Sequence, residues 1–283
     1  MRTLTTLLEG LRFGEGPRWH DGKLYFSDMH ADRVMTVDLD GRTSMVCEVP
    51  NNPSGLGWLP DGSLLVVSMA DRKLMRLERG GGGALKLHAD LSALAPYSCN
   101  DMVVDSQGRA YVGNFGFDHH NGEKPRGTVM IMVTPDGKAR AVADDLMFPN
   151  GAVITPDGKT LIVGESFGRR LTAFDIAADG SLANRRVWAD LGKNPPDGIA
   201  LDAEGAIWVA SPTQSEVIRV RQGGEVTERV AVATDAFACM LGGPDRKTLF
   251  VLTSVSSGSA ACRAAATAKI EITRVDIPGA GLP

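Results

Sequence analysis

At 283 residues, with 43% apolar side chains, 23% charged side chains and 33 glycines, the chain has the composition of a folded, turn-rich globular protein and not of a disordered segment. A net charge of −4, with Lys and Arg scattered along the sequence, offers no basic face to a phosphate backbone, so nucleic acid is not an expected partner. The apolar stretch near the N-terminus breaks at Glu9 and no later segment approaches the roughly 20 apolar residues of a spanning helix, so neither leader nor anchor is expected and the protein is placed in the cytoplasm.

In chain order, the segment from Thr3 to Leu8 precedes a repeated unit. A tight turn followed by an apolar run recurs as DGKLYFSD (21–28), DGSLLVVS (61–68), QGRAYVGN (107–114), DGKTLIVG (157–164), EGAIWVAS (204–211) and DRKTLFVLTS (245–254). The second residues of the six runs lie 40, 46, 50, 47 and 41 positions apart, a period that suits propeller blades and is too long for ankyrin-type helical repeats. Asp-Gly supplies the positive φ of a tight hairpin. A second polar or Gly-rich hairpin follows in each unit, as in LERGGGGAL (77–85) and FDIAADGSL (174–182). Helical spacing sustained over three turns is hard to find, which argues against a βαβ protein. The expected fold is all-β: a single domain over residues 1–283, a six-bladed β-propeller of four-stranded antiparallel blades around a central channel. The last strand, KIEITRVDI (269–277), is expected to close the ring by pairing with the segment Thr3 to Leu8.

Cys47, Cys99, Cys239 and Cys262 form no C-x-x-C pair, so neither a zinc ribbon nor a dithiol redox site is indicated, and Cys47 and Cys262 read as small buried thiols.

If the units are equivalent, one offset before each turn projects to one place around the channel. Seven or eight positions upstream stand Glu15, Ser54, Asn100, Asn150, Asp197 and Cys239, and glycine follows Glu15, Ser54, Asn150 and Asp197. Two carboxylates and two carboxamides would converge there, an arrangement that repels and desolvates unless a cation relieves it. Hard oxygen donors without histidine favour Ca²⁺, Mg²⁺ or Mn²⁺ over structural zinc.

The phrases GEGPRW (14–19), CNDMVVDSQGR (99–109), PNGAVITPDGKTLIV (149–163), PPDGIALDAEGAIWVAS (195–211) and CMLGGPDRKTLFV (239–251) resemble the gluconolactonase/regucalcin family of six-bladed propellers over essentially the whole chain. The resemblance implies one divalent cation held by Glu15, Asn150 and Asp197, with Ca²⁺ foremost and Mg²⁺, Mn²⁺, Zn²⁺ or Fe²⁺ as alternatives. It also implies Asn100 in contact with a small lactone or ester, and hydrolysis with Asp197 deprotonating the attacking water. Ser98, expected to touch the substrate, stands where sugar-lactone members often carry arginine. Asp118 and His119, in the loop NFGFDHHNGEKPRG (114–127), are the further expected substrate contacts, and the bland reading of His119 and His120 is a solvated connection. The rival functions are an arylesterase or organophosphate-type hydrolase acting on a less polar substrate, and a calcium- or ligand-binding propeller without catalysis. No serine-esterase signature is expected to compete with the metal route.

Overall fold

The computed structural model describes residues 2–80 and 85–282, so the stretch 81–84 of the hairpin expected at LERGGGGAL lies outside the described residues. Six four-stranded antiparallel sheets form six blades. The innermost strands are Gly14–His20, Pro53–Trp58, Cys99–Val104, Pro149–Ile154, Ile199–Leu201 and Asp235–Gly242, for blades 1 to 6 respectively. Blade 6 is completed by the N-terminal strand Thr5–Leu11, which pairs antiparallel with Ala268–Arg274. Ring closure therefore follows the route expected from the sequence.

Each repeat turn joins the first two strands of a blade. Gly22, Gly62, Gly108, Gly158 and Gly205 take φ from +70° to +82° there, and Arg246 is held at +56° in the sixth copy, where glycine is missing. Large side chains fill the wedges between blades. Trp208, Phe26 and Phe250 are fully buried in one cluster that joins blades 5, 6 and 1, and each such burial contributes about 1.5–3 kcal/mol. Cys262 is buried, whereas Cys47, on the outermost strand Thr43–Glu48, is only partly so.

Two features set the ends of the channel apart. At one end, the connection between the last two strands from residues 255 to 267 carries α1 (Ser259–Ala265), a helix too short to leave an amphipathic signature in the sequence. At the other, the C-terminal tail crosses the channel. The Ala203 N–H donates to Pro278 O at 2.8 Å, the Ala280 N–H to Leu201 O at 2.9 Å, and Arg246 Nη1 to Gly281 O at 3.0 Å. Only about 20 Å³ of cavity remains beneath that tail. No helix among the described residues is long and apolar enough to cross a membrane.

Candidate metal centre at the channel mouth

The inner strands carry a recurrent irregularity. In blades 1 to 4 the register of the inner hairpin shifts between Glu15 and Arg18, Pro53 and Leu56, Cys99 and Met102, and Pro149 and Ala152. A bulge of this kind bends the strand and re-aims a side chain. The re-aimed positions are Glu15, Ser54, Asn100 and Asn150. In blade 5 the strand begins two residues after Asp197, yet the position is equivalent, because the Gly151 N–H donates to Asp197 O at 3.2 Å just as the Gly198 N–H donates to Phe237 O at 2.9 Å. Close approach between blades requires these glycines: a Cβ on Gly151 would stand 2.6 Å from both Asp197 O and Ile199 N.

The same hydrogen bond corrects the sixth position. The blade 6 register shift lies between Ala236 and Ala238, so Phe237 faces the channel mouth. Cys239 instead lies in the core and directs its Sγ to Gly198 O and Trp208 O, and burial pushes its thiol up to about 12. The two positions differ by two residues, but the extra residue of the bulge interrupts the alternation between them, so counting by twos does not carry one onto the other.

Glu15, Asn100, Asn150 and Asp197 line one cavity of about 140 Å³ at the mouth, and no Lys or Arg lines it. Burial, followed by the nearby Asp197 and Asp101 charges, holds the Glu15 carboxyl well above the usual carboxylate range. Asp197 retains some surface toward the cavity, but desolvation still drives it up, with the Asn150 side chain offsetting part of the shift. Asn150 Nδ2 also donates to Ser166 Oγ at 3.2 Å, which in turn donates to Pro196 O at 2.7 Å. The Ser54 hydroxyl, at the equivalent place in blade 2, is buried with no partner. Two uncompensated carboxylates, carboxamide oxygens and an unpaired hydroxyl are a donor set that fits a hard divalent cation. Among the described residues no group of three His, Cys, Asp or Glu side chains is placed to hold a metal, so the third ligand of such a centre would be the Asn150 carboxamide.

Sequence reasoning missed Asp101. It occupies the place held by glycine in blades 1, 2, 4 and 5, and that break in the pattern was the available signal. Asp101 is 5% exposed, receives Arg18 Nη2 at 2.8 Å and the Met102 N–H at 2.8 Å, and burial outweighs the pull of Arg18 to raise its carboxyl. The buried Arg18 guanidinium is thus bonded to Asp101, and its charge offsets only part of the rise at Glu15.

A second missed feature is GESFG (164–168), which has the G-x-S-x-G form of a nucleophile elbow, contrary to the expectation that no such signature competes. Its serine, Ser166, follows the strand Thr160–Glu165, no helix succeeds it, and its hydroxyl bonds Pro196 and Asn150 and no histidine. Ser166 is a buttress for Asn150.

The expected substrate contacts divide. Asn100 and His119 line the cavity; Ser98 and Asp118 do not. The Ser98 carbonyl accepts the Phe115 N–H at 2.9 Å. Asp118 accepts from Asn121 Nδ2 at 2.7 Å, which with Tyr97 holds its carboxyl below the usual range and organises the loop. Burial, reinforced by His120, lowers His119 to about 4, and its Nδ1 is buried without a partner. His30, also lining the cavity, is lowered chiefly by burial; Asn52 Nδ2 donates to its Nδ1 at 3.2 Å, and its Nε2 donates to Ser257 O at 3.2 Å.

Comparisons with known proteins place the fold and the family. The chain is 27% identical to a pentonolactonase from Haloferax volcanii, over 99% of this chain and 97% of that protein. It is 31% identical to a regucalcin from Xenopus laevis, over 88% of this chain and 85% of that protein. A solved structure of a calcium-binding protein, regucalcin, from Agrobacterium tumefaciens superposes with a TM-score of 0.81 at 24% identity, covering 100% of this chain and 97% of that one. The family description SMP-30/Gluconolactonase/LRE-like region matches residues 13–255, and the chain belongs to that family.

Proposed function

We propose that the protein is a divalent-cation-dependent hydrolase that opens a lactone. The observation that carries this reading is the convergence of Glu15 and Asp197, without a cationic partner, beside Asn150 and Asn100 at one cavity. Relatives named pentonolactonase, 6-deoxy-6-sulfogluconolactonase and L-arabinolactonase support the reaction class, and the calcium-binding regucalcin supports Ca²⁺ as the ion. Glu15, Asn150 and Asp197 would hold the cation, with the buried Ser54 hydroxyl nearby. When bound, the cation supplies Lewis-acid polarisation of the ester carbonyl.

The chain's own groups supply the rest. The Asp197 carboxylate accepts a proton from water as the water oxygen bonds to the carbonyl carbon; the ring C–O bond then breaks, and the same proton passes to the departing ring oxygen. Water is consumed and a hydroxy acid is the product. Asn100, whose Nδ2 is tied to Pro149 O at 3.3 Å, orients the substrate through its remaining carboxamide capacity, and His119 presents its unpartnered Nδ1. Stripping the protein with chelator and restoring Ca²⁺, Mg²⁺, Mn²⁺ or Zn²⁺ singly tests the reading. Lactone opening should disappear and return with one of them, and hydrolysis undiminished by chelation would overturn it.

A further inference from the structure

We infer that the preferred lactone carries an apolar substituent, aryl or short alkyl, and that the Phe148 ring is the face that selects it. The inference rests on the lactone reading above and concerns what surrounds the oxygen cage. Phe13, Met29, Met69, Phe115, Phe148 and Phe237 line the cavity together with the cage residues. They come from five blades and form a single hydrophobic cluster at the channel mouth, separate from the clusters that weld the blades together. Phe117, in the same cluster, is fully buried behind them, whereas Phe148 keeps 6% and Phe237 8% of their surface. The volume of about 140 Å³ is close to that of an engineered apolar cavity, about 150 Å³, that accepts one benzene ring.

Phe148 is held in a conformation that an aromatic residue before proline avoids. Its φ is +62°, in the left-handed region, and Pro149 follows it. The surroundings impose that geometry. The Met147 N–H donates to a Glu165 carboxylate oxygen at 2.7 Å, the Ser166 N–H to Phe148 O at 3.1 Å, and the Phe167 N–H to Met147 O at 3.2 Å. The result is a Phe148 ring stacked on Phe115, with centroids 4.3 Å apart and planes at 16°. The same left-handed residue before proline recurs in blade 2 at Asn52, φ +63°, a residue type that tolerates it, so what is particular to this blade is an aromatic ring kept where the backbone disfavours it.

The free hydrogen-bonding capacity of the lining is gathered at the oxygen cage and at His119, not along the aromatic wall. Both His30 nitrogens are engaged, Asn100 Nδ2 is engaged, and no Lys or Arg reaches the cavity. Hydroxyls of a sugar lactone that lie against the aromatic wall, beyond reach of the cage and of His119, would leave water for few partners, whereas an apolar substituent there leaves none of its own groups unpaired.

The test compares γ-phenyl-γ-butyrolactone with ribono-γ-lactone. Binding is measured by calorimetry in an Asp197→Asn background, where the ligand is not consumed, at a Ca²⁺ concentration that a prior titration shows to saturate the altered cage, and kcat/KM is measured on the unsubstituted chain. We expect a preference for the phenyl lactone of about tenfold or more. Phe148→Asn, which suits the left-handed backbone and removes the ring, should erase most of that preference. Phe237→Leu, at a position with ordinary backbone, should reduce it too if the Phe148 variant does not fold. Equal or tighter binding of the ribonolactone, binding of neither compound, or a preference that survives loss of the ring would overturn the inference. Selective phenyl-lactone binding without turnover of any lactone upholds it and sinks the hydrolase reading instead.

Discussion

The two ends of the channel are made from the same inner strands and differ in what they leave unpaired. At the far end Asp202 is bonded to Arg219 at 2.7 Å and the tail carbonyls to Arg246, which leaves only its Nε unpaired, around about 20 Å³ of space. At the open end Glu15 and Asp197 face each other without a cation, Ser54 Oγ and His119 Nδ1 lack partners, and Phe148 is strained, around about 140 Å³. Single unpaired nitrogens also occur in the scaffold, as at Arg246 Nε and Trp208 Nε1, but only the open end gathers two buried acids without a basic side chain bonded to either, and that separates the working surface from the scaffold.

The sharpest way to break this contrast is to replace one acid at each end. Asp197→Asn should lower kcat for lactone opening by about a thousandfold, the scale of a lost general base, while leaving the melting temperature of cation-free protein unchanged or higher. Asp202→Asn should do the reverse. It leaves the Arg219 guanidinium, 4% exposed at its side chain, with only the half-exposed Glu204 as an acidic partner, and should destabilise the protein by about 2 kcal/mol in denaturant titration with little change in kcat of the folded fraction. If both replacements cost stability equally, the open end is ordinary scaffold.

The pH dependence of stability should carry the same signature. In chelated protein the raised Glu15 and Asp197 carboxyls keep protons that the unfolded chain releases. The stability they lend is complete below about pH 4, the unfolded value, and is lost as the pH rises through the folded values, about 8 for Asp197. Glu165 runs the other way: although burial opposes it, the Arg170, Met147 and Thr172 hydrogen bonds hold its carboxyl low, so its contribution is present above the unfolded value and is lost in acid. Melting curves from pH 4 to 8 should therefore decline with chelator and flatten with excess Ca²⁺, which stabilises by about 2.7 kcal/mol at a hundred times its Kd. A chelated protein that gains stability over that range would contradict the assignment. The smallest effect is expected of Asp118→Asn, since its carboxylate organises the loop outside the cavity lining; kcat/KM should move by no more than about twofold.

Much of this was legible because it is local. Six Asp-Gly-type turns announced six blades, and an acid or amide followed by glycine announced Glu15, Asn150 and Asp197. Phe237 was illegible because Ala238 replaces the glycine, and the extra residue of the blade 6 bulge shifts the count without leaving a mark in the sequence. Ser166 and Asp101 were in plain sight as residues, but their roles depend on partners at Pro196 and Arg18 supplied by other segments. The aromatic wall gathers side chains from residue 13 to residue 237, and no short-range pattern encodes such a meeting.

The pairing of Thr5–Leu11 with Ala268–Arg274 also fixes an order of events. The first strand has no partner until nearly the whole chain exists, so it waits through synthesis as an unpaired edge, and the ring locks with one of the longest sequence separations available to it. Such non-local closure is slow. Glu15, on the strand just after that waiting edge, meets Asp197 across the channel only when the ring is drawn together. Chaperone dependence and the recovery of cation binding during refolding should therefore track that single late pairing, and a variant that loosens it should lose the cation before it loses its blades.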